Sequence, residues 1–250
     1  MMRPWWFGGT PVVDSGPPDS ANIVLWFDAT TITPQTDDTA ISQWDDLSAN
    51  AYHVTQATAA KKPHYRTAAG AGAINGLPTV DFARTQAKKM ESTAGNPLAG
   101  GAARTIYVVG RDSAAGDAPG TLIGFRKSGL QFVAQCNYGP SYVFTDAVNA
   151  GNNATIVQAV GDTDVPFVFT WRCAGTGNKI EVWLNATSKT VTQGGSCPTE
   201  TGNTGFVLGN RQSPDQGWMG VMGEVLVYAG AHDSATRTLV WDYLNAKWGL

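Results

Sequence analysis

Charge is scarce in this chain of 250 residues: Asp, Glu, Lys and Arg together make up 15% of it, against roughly a quarter in an average domain. A surface so poor in charge must be built largely from Thr, Ser, Asn, Gln and Gly. The formal net charge of -3 carries no clustered basic face, so nucleic acid is not an expected partner. Cysteine is equally sparse. Cys136, Cys173 and Cys197 are an odd set with no CxxC spacing; a secreted disulfide scaffold would pair its cysteines, so reduced thiols and folding in a reducing cytoplasm are expected. No apolar stretch follows the single early Arg3, which argues against a signal peptide, and no run approaches a membrane span. The N-x-T matches at Asn153 and Asn185 then read as turn residues rather than glycosylation sites.

Turn formers are abundant instead. The chain has 29 glycines and 13 prolines, lying between short apolar runs, as many strands with many turns require. In "VPFVFTWRCAG", Val165, Phe167, Phe169, Trp171 and Cys173 alternate with Thr170 and Arg172, the pattern of a half-buried strand. "GTGN" then turns the chain into "KIEVWLN", with Ile180, Val182 and Leu184 on one face and Glu181, Trp183 and Asn185 on the other. "RTIYVVGR", "TLIGF", "LQFVAQC", "SYVFT", "ATIVQAV", "TGFVLGN" and "WMGVMGEVLVYAG" are further strand candidates. This predicts one all-β domain, a two-sheet sandwich. It closes on a helix over 234–248, capped by Asp233 or Ser234, with Leu239, Val240, Tyr243, Leu244 and Trp248 as its apolar stripe and Gly249 as its stop. Such a helix buries its stripe only against the sandwich, and it marks the domain as complete at residue 250.

Residues 1–20 stand apart from the domain over 21–250. They hold four prolines beside Trp5, Trp6 and Phe7, which prevents a regular helix yet leaves the segment too apolar for water. It reads either as an N-terminal strand of its own domain or as an extended arm that anchors the chain to a partner through Trp5, Trp6 and Phe7.

Four motifs in order carry a family resemblance over residues 22–250: Leu25, Trp26, Asp28 and Ala29; Trp44, Asp46, Ser48 and Asn50; Asn75, Gly76 and Pro78; Tyr243, Leu244, Lys247 and Trp248. They resemble the concanavalin-A-like, laminin-G-like jelly-roll domains of bacterial surface proteins and tailed-phage virion proteins. Ala49 stands where that family usually has glycine, which implies a different turn geometry. Physically these residues read as scaffold, with short polar side chains capping turns and tryptophans filling the core. The alternative is that Asp28, Asp45 and Asp46 help to hold Ca²⁺, which needs several more oxygen ligands. No other cofactor is expected.

A catalytic constellation is not legible. Related jelly-roll glucanases carry a Glu-x-Asp-x-x-Glu strand, whereas the only glutamates here, Glu91, Glu181, Glu200 and Glu224, are at least 19 residues apart. His53, His64 and His232 form no metal spacing and read as turn or surface residues. The glycine-rich stretches lack a phosphate-loop lysine, and no serine sits in a nucleophile elbow. A binding surface is better supported. Trp183 between Glu181 and Asn185 is an aromatic beside amide and carboxylate, as a sugar site requires, unless a second layer covers it. Tyr138, Tyr142, Asn210, Arg211 and Trp218 are loop candidates of the same kind. The resemblance then implies a non-enzymatic tailed-phage virion protein, a capsid decoration or tail-fibre adhesin component. It would be made in the host cytoplasm, homo-oligomeric, joined to other virion proteins through its arm, and able to bind host surface glycan without membrane insertion. A carbohydrate-binding module of a bacterial surface protein and a polysaccharide-cleaving enzyme are the alternatives.

Overall fold

Alternation of apolar and polar residues over the long strands folds the chain into two antiparallel sheets closed by one helix. The computed structural model describes residues 16–82, 88–95, 98, 102–112, 120–127, 130–136, 141–146, 153–157, 165–175, 177–178, 180–189, 205–210 and 217–250, with the backbone alone for 126–127 and for the strands 130–136, 141–146 and 153–157. Trp5, Trp6, Phe7, Tyr138 and Arg211 lie outside the described residues, as does the Tyr142 side chain.

The first sheet runs β15 (Thr187–Lys189), β14 (Ile180–Leu184), β13 (Pro166–Cys173), β8 (Arg104–Asp112), β17 (Gly220–Ala229), β6 (Thr79–Phe82), β5 (His64–Arg66) and β2 (Thr39–Ala40). β1 (Ile23–Asp28) also pairs with β17, beyond the end of β6. The second runs β12 (Asn153–Val157), β11 (Ser141–Asp146), β10 (Leu130–Cys136), β9 (Gly120–Lys127), β16 (Gly205–Leu208), β7 (Met90–Ser92), β4 (Val54–Thr55) and β3 (Gln43–Trp44). Phe27, Trp44, Phe125, Phe169, Trp171 and Phe206 fill the space between the sheets.

A second apolar layer lies on the outer face of the first sheet. There Tyr107, Val109, Val168, Leu226 and Tyr228 meet Val240, Leu244 and Trp248 of helix α1 (Ser234–Trp248). This corrects the half-buried reading of β13: Val168 and Thr170 are buried as fully as Phe169 and Trp171, because the helix covers the face that alternation assigns to water. The stripe of α1 is Val240, Leu244 and Trp248, while Leu239 points outward and is 59% exposed. Asp233 is the N-cap, accepting from Thr236 N at 2.8 Å, and Gly249 ends the helix at φ 66°.

The four motifs are the fittings of this layer. Trp26 Nε1 donates to Glu224 at 2.9 Å, as do Tyr243 Oη at 2.9 Å and Trp248 Nε1 at 2.8 Å, and Lys247 Nζ bridges Glu224 and Asp28 at 2.9 and 2.5 Å. Asp46 accepts from the backbone N–H groups of Trp26, Ser48 and Tyr52, each at 2.9 Å, latching its turn onto β1. Asn75 and Gly76 form a two-residue turn with φ of 47° and 78°, both left-handed as such a hairpin requires. The Asn75 amide donates to the carbonyls of Trp248 and Gly249 at 2.6 and 2.8 Å, closing the helix C-terminus. In the turn after Asp46, the left-handed residue is Ala51 at φ 51° rather than Ala49.

Two further expectations are corrected. Cys173, buried at the end of β13, is disulfide-bonded, so the three cysteines are not all reduced thiols; a single bond in an odd set leaves one over. His232 is 5% exposed rather than a surface residue. Its Nδ1 lies 2.9 Å from Tyr107 Oη and its Nε2 lies 3.3 Å from Asp19, while Tyr228 Oη donates to Pro18 O at 2.9 Å. Residues Pro18 and Asp19 of the N-terminal segment therefore dock on their own domain.

Candidate functional site

The register of the first sheet lines up Trp183, Thr170, Tyr107, Leu226 and Trp26 as one row across β14, β13, β8, β17 and β1. Strand period places this row on the outer face, beneath the helix. α1 covers the middle of the row and leaves a groove at its Trp183 end. Its volume is about 130 Å³, and its walls are Tyr107, Thr170, Trp183, Asn185 and Ala186 from the sheet with Ser234, Arg237, Thr238 and Trp241 from the helix. Two indoles, both partly exposed, thus face a small space with hydroxyl, amide and guanidinium groups around it.

Of the sequence-predicted residues, Trp183 and Asn185 line this groove, and Glu181 shares β14 with Trp183. Trp183 is not a bare platform: the Arg237 guanidinium stands 4.1 Å from the centre of its ring. The second layer that covers Trp183 is therefore the chain's own helix, and only in part. Asn185 sits at the hairpin turn with φ 55°, its side-chain oxygen accepting from Val168 N at 2.8 Å. Glu181, next to the groove, is bound to Arg172, whose Nε donates to the His232 carbonyl at 2.7 Å. Arg237 Nη1 donates to that same carbonyl at 3.0 Å. Burial holds the His232 imidazole below its ordinary value and pushes the Tyr107 phenol up, so both are neutral at pH 7.

Two loop candidates are corrected. Asn210 and Trp218 are each 1% exposed, and Trp218 packs edge-on against Phe167 at 6.1 Å, inside the core. An aromatic buried between sheets presents no face to a ligand. Nor do Asp28, Asp45 and Asp46 converge on a cation: Asp28 binds Lys247, Asp46 accepts backbone N–H groups, and Asp45 pairs with Gln43 and His53. No group of three metal-ligating side chains occurs among the described residues.

Sequence reasoning missed Arg237 and Trp241. Both sit on helix positions off the apolar stripe, and only the crossing of α1 over the sheet brings them to Trp183. A larger open cleft of about 350 Å³ lies between residues 31–35 and 39–45; its walls are mainly Thr, Ser and Gln, and its one tryptophan, Trp44, is buried in the core.

No protein-family model matches the sequence. No curated protein matches it either. Solved structures do share its fold. The binding domain of Paraclostridial Mosquitocidal Protein 1 superposes with a TM-score of 0.61 at 11% identity, over 90% of this chain and 53% of that one. The botulinum neurotoxin serotype D binding domain gives 0.59 at 10% identity, over 90% and 52%. Trypanosoma rangeli sialidase in complex with sialic acid gives 0.53 at 12% identity, over 89% and 33%. This chain spans about half the length of the two binding domains and a third of the sialidase. What is common to all of them is the β-sandwich.

Proposed function

We propose that this protein is a non-enzymatic glycan-binding β-sandwich whose saccharide site is the groove between Trp183 and Trp241. The observation that carries this reading is the groove itself, two partly exposed indoles facing Asn185, Thr170, Thr238 and Arg237 across a space of about 130 Å³. Sugar rings present apolar C–H faces ringed by hydroxyls, and aromatic walls with a few placed hydrogen-bonding groups complement both. The volume suits one terminal sugar, being well below the roughly 300–1,000 Å³ of a drug-sized pocket. Binding and receptor-binding domains among the proteins of like fold support a recognition role.

Binding without cleavage is part of the proposal. Glycoside hydrolysis uses two carboxyl groups flanking one bond. Among the described residues no carboxylate lines the groove; of the described glutamates, Glu181 is tied to Arg172, Glu224 has no exposed surface, and Glu91 pairs with Lys89. The finer reading places the sandwich on a tailed-phage virion as a decoration or tail-fibre adhesin component, homo-oligomeric and joined to other virion proteins through Trp5, Trp6 and Phe7; the sequence motifs support it. A bacterial surface protein is the second reading, favoured by the disulfide at Cys173, since such bonds persist in oxidising compartments.

The test is saturable binding of the labelled protein to bacterial cells and to their extracted surface polysaccharides. Trp183→Ala and Trp241→Ala should each abolish it. A well-folded protein that binds no polysaccharide would overturn the reading.

A further inference from the structure

We infer that the groove selects an anionic sugar, a residue bearing a carboxylate, and that Arg237 is the group that reads it. The inference rests on the glycan-binding reading of the groove and adds the charge of the ligand. Three observations carry it. First, among the described residues Arg237 is the charged residue of the groove wall, and no described Asp or Glu shares that wall. Second, no carboxylate among the described residues is paired with it; Asp233, one helical turn away, acts on it only at longer range. The acids nearby are already engaged, Glu181 with Arg172 and Asp233 with the amide of Thr236, and among the described residues no carboxylate comes within 4.0 Å of the Arg237 guanidinium. Third, the guanidinium is held in place before any ligand arrives, stacked 4.1 Å from the Trp183 ring centre and anchored through Nη1 to the His232 carbonyl at 3.0 Å.

A guanidinium has five N–H donors in a planar fork, and one anchored donor leaves others for a ligand. Its fork matches a carboxylate bidentately, with shorter and stronger bonds than a hydroxyl can make. Stacking on an indole fixes its plane without consuming its edge donors. An exposed arginine would lose conformational freedom on binding, whereas one already clamped from two sides loses little. A neutral sugar uses none of this charge.

Carboxylates reach a glycan either as uronic acids within a chain or as terminal sialic-acid-type residues, and the probes separate the two. Titration calorimetry with an oligogalacturonate and with a sialyl-terminated oligosaccharide is run beside the carboxyl-reduced form of each. The expected result is that at least one acidic probe binds about tenfold or more tightly than its reduced form, the worth of one charge-assisted hydrogen bond, and that the difference shrinks with added salt. Arg237→Gln should erase the difference. Arg237→Lys, which keeps charge but not the fork, should retain part of it and checks that the helix still docks. Equal binding of acidic and reduced forms would overturn this inference and leave the glycan reading standing. Binding of none of the four probes would overturn the anionic inference, and the polysaccharide assay with Trp183→Ala would then decide separately whether the groove binds sugar.

Discussion

Glu224 has no exposed surface, yet it carries a carboxylate into the layer between sheet and helix. Burial pushes its carboxyl up, and Lys247 opposes that shift. For Lys247 the balance runs the other way: burial pulls the ammonium down, and Glu224 with Asp28 more than reverses it. A cation whose folded pKa is raised contributes stability at neutral pH and loses it as the pH rises through that value, above about 10.4. The helix should therefore loosen at the alkaline end. Removing one partner of a buried pair strands the other charge, so Lys247→Met should destabilise by about 3–5 kcal/mol at pH 7 in urea unfolding. Adding Glu224→Gln should recover part of the loss, with a coupling of about 0.5–3 kcal/mol. Simple additivity of the two changes would show that the ion pair does not hold the helix.

β17 bends where Trp248 docks. Its register slips between Met222 and Glu224, and a Cβ on Gly223 would stand 2.6 Å from the Trp248 ring. That ring is wedged between strand and helix with no exposed surface, so Gly223→Ala should force it out of place and destabilise by about 1–3 kcal/mol, measured by urea unfolding. A variant as stable as its parent would mean that the helix shifts freely. The long strands and the helix were legible because each repeats its period for many residues and carries its own punctuation, Asp233 before the helix and Gly249 after it. β2 to β5 escaped notice because two or three residues cannot show a period. The double burial of β13 and β17 was hidden for a different reason. Thr170, Glu224 and His232 look solvent-facing until partners far away in sequence are folded onto them. The same limit hid Arg237, whose neighbour Trp183 lies 54 positions earlier, while Trp183 itself stood out as an aromatic on a polar face. Asn210 and Trp218 were misplaced because turn chemistry marks a bend in the chain without telling whether the bend turns inward.

For the molecule as a whole, the disulfide at Cys173 links the fold to where it is made. An odd count of cysteines argues for free thiols on composition alone, but composition says nothing about which thiols folding brings together. Cys173 lies on the last pair of β13 with both β8 and β14, opposite Arg104 and Ile180, in the sheet that carries the groove and the helix. A cross-link there restrains the unfolded chain, and its removal should cost about 2–4 kcal/mol. Cys173→Ser should accordingly melt lower than the oxidised parent, and reductant should lower the parent's Tm while leaving the variant's Tm unchanged. The groove proposed to bind saccharide offers a second readout. Since Trp183 and Thr170 stand on the two strands that end at this cysteine, reduction near the melting range should weaken saccharide binding before the sheets separate. Protein from an oxidising compartment should match the oxidised parent in both measurements. A parent whose Tm ignores reductant would show that the sandwich and its docked helix are held by packing alone.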